Sequence, residues 1–513
     1  MRSAAKRPVV AGAVTGLVVA GLAIGVSQLV SGIVNPQASP IFTVGQSAID
    51  ATPEWLKSFA IRTFGSRDKT VLLGGIAAVV LLVAVALGVW SFKRLWVGIA
   101  GLIALGLVGV IAALSRPTAR TVDAVPAIAA ALAGMAALLV LHRAARTNEQ
   151  APSRSFDGTV IDRRRLLFAG VAGAGLALFA GALGNLFARR FRADASRAAV
   201  TVPRPVSPAA GASGAGLSVP GLGPFFTPNE RFYRVDTALL APAVMSEDWR
   251  LRVHGMVERE ITLDYDQLLA RSLIERDITL TCVSNPVGGH YVGNARWIGA
   301  PLRDLLDEAG PLPGADQIVG SSVDGFTVGT PTAIAMDGRD AMLAVAMNGE
   351  PLPLVHGFPV RMIVPGLYGY VSATKWLVDL ELSTFRAYDP YWVQRGWAEQ
   401  APIKTMSRID TPSPFLDLSA GEVPIAGVAW AQHVGIERVE VGIDDGPWVS
   451  AELAGEDSID TWRQWVYRWQ ATPGEHLLRV RATDRDGFTQ TPDRAEPFPD
   501  GATGQHEIVV RVG

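Results

Sequence analysis

The 513-residue chain has one cysteine, Cys282. No internal disulfide is available to it, and one thiolate cannot hold an iron–sulfur cluster. Histidine is also scarce. Only His142 precedes His254, so the N-terminal half lacks a histidine pair for a b-type haem, and no Cys-x-x-Cys-His provides for c-type haem. The net charge is −2, which gives no basis for nucleic-acid binding. Charge is missing altogether from residues 9–33, 71–90, 95–115, 124–141 and 166–188.

Each of those five runs is close to the ~20 apolar residues that span a bilayer. All are rich in Gly and Ala, as where helices pack closely in lipid. The sequence therefore predicts a five-helix transmembrane region over residues 1–190. With no ionisable residue inside the spans, a proton or ion relay has little support, and the bundle reads as an anchor. Arg2, Lys6 and Arg7, then Lys93 and Arg94, then Arg143, Arg146, Arg154 and Arg163 to Arg165 flank the spans on one side, which the positive-inside rule makes cytoplasmic. Five crossings then put the rest of the chain on the outer face of the cytoplasmic membrane. Asp162-Arg-Arg-Arg-Leu-Leu-Phe168, ahead of an apolar run, resembles a twin-arginine export signal. Trp55, Leu56, Phe59 and Phe64 beside Lys57, Arg62 and Arg67 fit an interfacial amphipathic helix.

Residues 191–224 are rich in Ala, Pro, Gly and Ser and read as a flexible linker. Residues 225–399 mix signals. Trp249 to Gly255 alternates like a strand, Leu302 to Ala309 is a helix closed by Gly310, and Pro359 to Pro365 is a strand between prolines, so an α+β domain is expected. Residues 400–513 carry only strand patterns: Val428 to Trp430, Glu437 to Ile443, Trp465 to Trp469, Leu477 to Thr483 and His506 to Val512. Tight turns at Asp444-Asp-Gly446 and Asp484 to Gly487 complete a β-sandwich pattern of immunoglobulin type.

Cys282 sits in Thr279-Leu-Thr-Cys-Val-Ser-Asn285, a β-prone run ahead of Pro286 and Gly288-Gly289. A thiolate at a strand end beside such a loop suits a soft metal that must remain open to substrate. This segment, with Asn294-Ala-Arg-Trp297, Met347 to Pro353, His356-Gly-Phe-Pro-Val-Arg361, Val364-Pro-Gly366 and Lys375-Trp376, resembles the core of the sulfite oxidase and assimilatory nitrate reductase family. The later strands, through Gly427 to Trp430 and Val439 to Gly446, are similar to that family's β-sandwich. The likeness runs from Asn229 to the C-terminus.

The resemblance implies a molybdenum–molybdopterin cofactor with Cys282 as metal ligand. Asn229, Tyr233 and Arg234 match the first cofactor-contacting segment. Asp324 matches a pterin-binding acid, His356 and Arg361 the next contacts, and Ala373, Thr374 and Lys375 the last. Arg and Lys suit a phosphate, and His and Asp suit ring nitrogens. It also implies a homodimer through the β-sandwich. No fused haem or flavin domain accompanies the match, so a separate electron carrier is expected.

The pattern breaks at the substrate. Where sulfite oxidases carry a basic pair, this chain has Pro286 and Val287, and no tyrosine stands at Gly396-Trp397. A neutral pocket binds sulfite or nitrate less well, leaving Arg234 as an anion contact at the catalytic centre. The expected activity is two-electron or oxygen-atom transfer on a small molecule other than sulfite. A membrane-tethered binding module that kept the fold and lost the cofactor is the alternative, and a five-helix transporter with an outer sensor domain is a third reading.

Overall fold

The computed structural model describes residues 6–53, 56, 68–116, 119–146, 163–188, 193–238 and 240–513. The amphipathic segment expected around Trp55 to Phe64 lies outside them save Leu56, as do Asp162 and the side chains of Arg163 to Leu167. The chain divides into two units, one of residues 1–192 with 237–243 and one of 193–236 with 244–513.

The first unit contains α1 (Lys6–Val34), α2 (Pro40–Ala51), α3 (Asp68–Lys93), α4 (Leu95–Leu114), α5 (Val125–Arg146) and α6 (Arg163–Ala188). Among the described residues, five helices are long and apolar enough to cross a membrane, which is compatible with insertion. α1 packs against α3, α5 and α6. Glycine makes these approaches possible. A Cβ at Gly16 would lie 2.0 Å from the Ala84 carbonyl on α3, and one at Gly32 would lie 2.2 Å from the Gly184 carbonyl on α6. Leu82, Ile111 and Leu178 are exposed, as apolar residues on a lipid-facing surface would be. α2 has no counterpart among the apolar runs. Its start is set by Pro40 in the first turn rather than by hydropathy.

The second unit begins with α7 (Ala193–Ala199) and β1 (Arg250–Gly255), β2 (Ile261–Asp264), β3 (Ile274–Thr281), β4 (Val292–Pro301), β5 (Gln317–Ser322), β6 (Thr327–Pro331), β7 (Met342–Met347), β8 (Glu350–Pro351), β9 (Arg361–Ile363) and β10 (Leu377–Ser383). One sheet has the order β2-β1-β10-β5-β6. Another has β3-β4-β7-β8, with β9 also on β7. The predicted α+β pattern is present, including the helix Leu302–Ala309 with Gly310 left-handed at its end. Trp249, Leu251, Leu305, Leu343 and Leu380 belong to the core these elements share.

Residues 406–512 form two sheets. The first aligns Met406–Thr411, Gly421–Trp430, Arg463–Ala471 and Glu452–Leu453. The second aligns Asp417–Leu418, His506–Val512, Gly474–Asp484, Ile436–Ile443 and Val449–Ser450. Ile425 and Trp465 of the first share a core with Val439, Val480 and Val510 of the second. Every strand expected after residue 400 lies inside an observed one.

The linker departs from expectation. Residues 193–224 do not run free. Arg197 of α7 bonds the Pro351 and Leu352 carbonyls at 2.7 and 2.9 Å and pairs with Glu350 at 2.8 Å. Ser207 bridges β3, its carbonyl accepting from Glu275 N at 2.9 Å. Leu217 N donates to Gln464 Oε1 at 2.7 Å, and Ala215 is buried. A Gly/Ala/Pro segment cannot bury a core of its own, but it needs none where an edge strand offers it hydrogen bonds.

Candidate active site

Cys282 follows the last residue of β3. Its N–H donates to the Tyr291 carbonyl at 2.9 Å, and its Sγ lies 3.0 Å from Ser284 Oγ. Burial pushes the thiol up, while the Ser284 hydroxyl and N–H favour thiolate. On the neighbouring residue, the Thr281 carbonyl accepts from Gly369 N at 3.1 Å, which brings the 366–372 loop beside the thiol.

Arg361 opens β9 and is buried. Its Nη1 donates to the His356 carbonyl at 3.2 Å, its guanidinium lies 5.1 Å from the centre of the Trp297 ring, and its Nε has no hydrogen-bond partner. Among the described residues no carboxylate pairs with it. Burial lowers its pKa to about 10, and only Tyr233 opposes this. A buried guanidinium so placed is costly unless an anion completes it.

His356 is buried, and its Nε2 lies 2.9 Å from the Asn229 carbonyl. Because a carbonyl only accepts, Nε2 carries the proton and Nδ1 is left as an acceptor. Burial, reinforced by Arg361 and Arg234, lowers the imidazole to about 4, so it is neutral at pH 7. The Asn229 amide is engaged elsewhere, donating to Glu350 Oε1 at 2.5 Å and accepting from Asn348 Nδ2 at 2.9 Å. It positions the 229–234 segment. Tyr233 stacks on Phe232 at 5.3 Å, and its hydroxyl is pushed up by burial and by Cys282. It therefore remains a donor close to the thiol. Arg234 and Lys375 both pair with Asp236.

Ala373 N donates to the Gly369 carbonyl at 2.9 Å. Thr374 is fully buried, and its Oγ1 lacks a partner. Gly320 of β5 passes flush against that oxygen, where a Cβ would approach to 2.8 Å. Asp324 lies in the β5–β6 turn. Its Oδ1 accepts from Phe326 N at 3.2 Å, so part of its acceptor capacity serves the turn itself. Val323 N donates to the Trp376 carbonyl at 3.0 Å, setting that turn beside the 373–376 segment. Arg361 Nε and Thr374 Oγ1, two buried polar atoms awaiting partners, with cations and a neutral imidazole nearby, fit an anionic, nitrogen-rich cofactor.

Several residues went unread in the sequence. Tyr368 is buried; burial raises its hydroxyl, and Asp500 and then Cys282 raise it further. So the missing tyrosine at 396–397 does not leave the thiol without phenols. Trp397 instead packs on Tyr370, whose hydroxyl donates to the Ala398 carbonyl at 2.6 Å. Arg408, in the first strand of residues 406–512, reaches the Gly289 carbonyl at 2.8 Å in the loop after Cys282. Its charge is matched by Asp410 at 2.5 Å. Asn348 and Gly349, both at positive φ, form the β7–β8 turn, giving the Met347 to Pro353 motif a conformational role.

Residues 238–392 match the family model of the oxidoreductase molybdopterin binding domain. The chain is similar to the sulfite oxidase of Gallus gallus, 31% identical over 53% of this chain and 70% of that protein. It is 30% identical to the mitochondrial sulfite oxidase of Mus musculus over 53% of this chain and 58% of that one, so it spans little more than half the length of that relative. Among solved structures, the sulfane dehydrogenase SoxCD from Paracoccus pantotrophus aligns with TM-score 0.50 and 23% identity, covering 56% of this chain and 82% of that one, a likeness of fold. Residues 238–392 thus form an oxidoreductase molybdopterin binding domain. The chain belongs to the sulfite oxidase-like family of molybdopterin oxidoreductases.

Proposed function

We propose that this chain is a membrane-anchored molybdopterin-dependent oxidoreductase acting on the outer face of the cytoplasmic membrane. The observation that carries the reading is Arg361, a buried cation with an orphaned Nε and, among the described residues, no carboxylate partner, set between His356 and Trp297. Arg361, Lys375, Thr374 and Arg234 would hold the phosphate-bearing end of the cofactor. His356 would accept an N–H from the pterin through Nδ1, and Asp324 would take a second. Ala373 and Asn229 shape the walls. Cys282 is the proposed molybdenum ligand. When bound, the metal supplies two-electron or oxygen-atom transfer chemistry. Tyr233 and Tyr368, both pushed up by burial, hold their protons near Cys282 and offer hydroxyl donors rather than charge.

The substrate class follows from charge. Pro286 and Val287 are neutral, and the nearby Arg408 is matched by Asp410. Neutral S- or N-oxides, or their reduced forms, suit such a pocket better than sulfite. Electrons pass to a separate carrier. The two-sheet region, read as immunoglobulin-like, would mediate a homodimer. Export through the twin-arginine route would deliver the domain folded and loaded.

The test is the molybdenum content of the detergent-purified full chain, wild type beside Cys282→Ser. About one metal per chain, with the sulfur-ligand signature altered in the variant, supports the reading. Metal-free wild type from a host that makes the cofactor overturns it. Protease protection of residues 400–513 in intact cells would overturn the outer placement.

A further inference from the structure

β3, the strand that delivers Cys282, is an edge strand of its sheet. An edge exposes backbone groups that must be satisfied. Ser207 covers the start of this one, through its bridge at Ile274. The end nearest Cys282 is covered by the C-terminal two-sheet region. Thr279 N donates to the Asp460 carbonyl at 2.9 Å, and Trp462 N donates to Thr279 Oγ1 at 2.7 Å. Gln432, itself buried, inserts its amide here. Its Nε2 donates to the Thr279 carbonyl at 3.2 Å and to Thr281 Oγ1 at 2.9 Å. Thr281 immediately precedes Cys282.

The same region grips the chain on the far side of the cysteine. Arg408 bonds the Gly289 carbonyl, and the His506 ring lies so close to Gly288 that a Cβ there would meet it at 2.2 Å. Phe225, Val287, Val292, Met406, Trp430 and Trp462 form one buried cluster spanning the contact. Both flanks of Cys282 are thus tied to residues beyond 400.

We infer that Gln432 is a positioning residue for the Cys282 sulfur, and that the C-terminal region is a structural part of the metal site. The inference rests on the proposed molybdenum ligation. Gln432 touches no substrate. It acts by fixing Thr279 and Thr281, and through them the direction in which the next side chain leaves the strand. A hydrogen bond one step behind a metal ligand sets the ligand's orientation, and its loss commonly costs about 10- to 100-fold in activity or metal affinity.

The experiment uses the full chain in detergent, comparing wild type, Gln432→Leu, Thr281→Val, their double variant and Thr281→Ser. The readouts are molybdenum content, the thiolate-to-metal charge-transfer absorption, the paramagnetic resonance g-values of the one-electron-reduced site, and kcat against KM. Gln432→Leu and Thr281→Val are expected to keep their metal, to shift the absorption and g-values, and to lower kcat about tenfold at unchanged KM. The double variant should be no worse than Gln432→Leu alone, because the bond that Thr281→Val removes is one of the two that Gln432→Leu already removes. Thr281→Ser, which keeps the hydroxyl, should restore the wild-type spectrum. Wild-type spectra in both Gln432→Leu and Thr281→Val overturn this inference alone, even where yield falls. Molybdenum missing from the wild type overturns the functional reading and this inference with it.

Discussion

The imidazole of His356 donates its Nε2 proton to the backbone carbonyl of Asn229 at 2.9 Å. Residues 127 apart in the chain are thereby locked face to face, and the proton's place decides what the other ring nitrogen can do. The neutral form is held by burial and by two arginines, which set the pKa to about 4 against an ordinary 6.5.

This has a pH consequence. With the folded value depressed, the unfolded chain binds the extra proton first as pH falls. Stability from this group is fully present above about 6.5 and is lost on descending to about 4, by about 3 kcal/mol. His506, also lowered to about 4 by burial, acts in the same sense. Asp457, raised to about 6 by burial and by Asp277, opposes over the same window. The His356 share is isolated by comparison with His356→Gln. Its denaturation midpoint should depend less on pH between 4 and 6.5 than that of the wild type, and equal slopes would refute the assignment.

Arg361→Met should separate folding from cofactor binding. Removing a buried cation that lacks a carboxylate leaves the cofactor-free protein as stable as before, or more so. The loss of charge-assisted bonds worth about 1.5–3 kcal/mol should cut cofactor affinity by at least about tenfold. Molybdenum content and the thermal midpoint, measured on the same preparation, check both halves.

Asn229→Ala should behave differently. It strips Asn348 and Glu350 of a partner each, so the chain itself is destabilised by about 1–3 kcal/mol. Glu350→Gln keeps an amide hydrogen bond to Asn229 and loses only a half-exposed pair with Arg197, so its effect should be under about 1 kcal/mol. Denaturant midpoints of the two variants would rank them.

In the bundle, Gly16→Leu drives a side chain into the Ala84 carbonyl of α3. Overpacking of this kind costs about 1–3 kcal/mol. The thermal midpoint of the detergent-solubilised bundle should fall, while molybdenum per folded chain stays constant. A fall in both would show that the two units do not hold their structure independently.

The sequence by itself determined those features that depend on local pattern. Five uncharged apolar runs become five long helices, because backbone groups in such runs are best satisfied within a helix. The strands after residue 400 follow from alternation and Asp-Gly turns, and the helix ending at Gly310 from its left-handed stop. The family motifs also point to Cys282, His356, Arg361 and Lys375 as candidate site residues. Asn229 could not be read so well. Its type fits a cofactor contact, but its amide is taken up by Asn348 and Glu350, partners about 120 residues away.

What tertiary structure alone decided is where long-range partners meet. The 191–224 stretch reads as free chain because composition reports only what a segment can bury alone, whereas residues 193–224 are held by the open edge of β3, by the Pro351 and Leu352 carbonyls and by Gln464. The tyrosines near Cys282 come from segments 233, 291 and 368. Gln432 and Arg408 reach the strand and loop around the cysteine from beyond residue 400. No spacing rule connects them, since hydrogen bonds across a sheet edge depend on distance in space and carry no periodic trace along the chain.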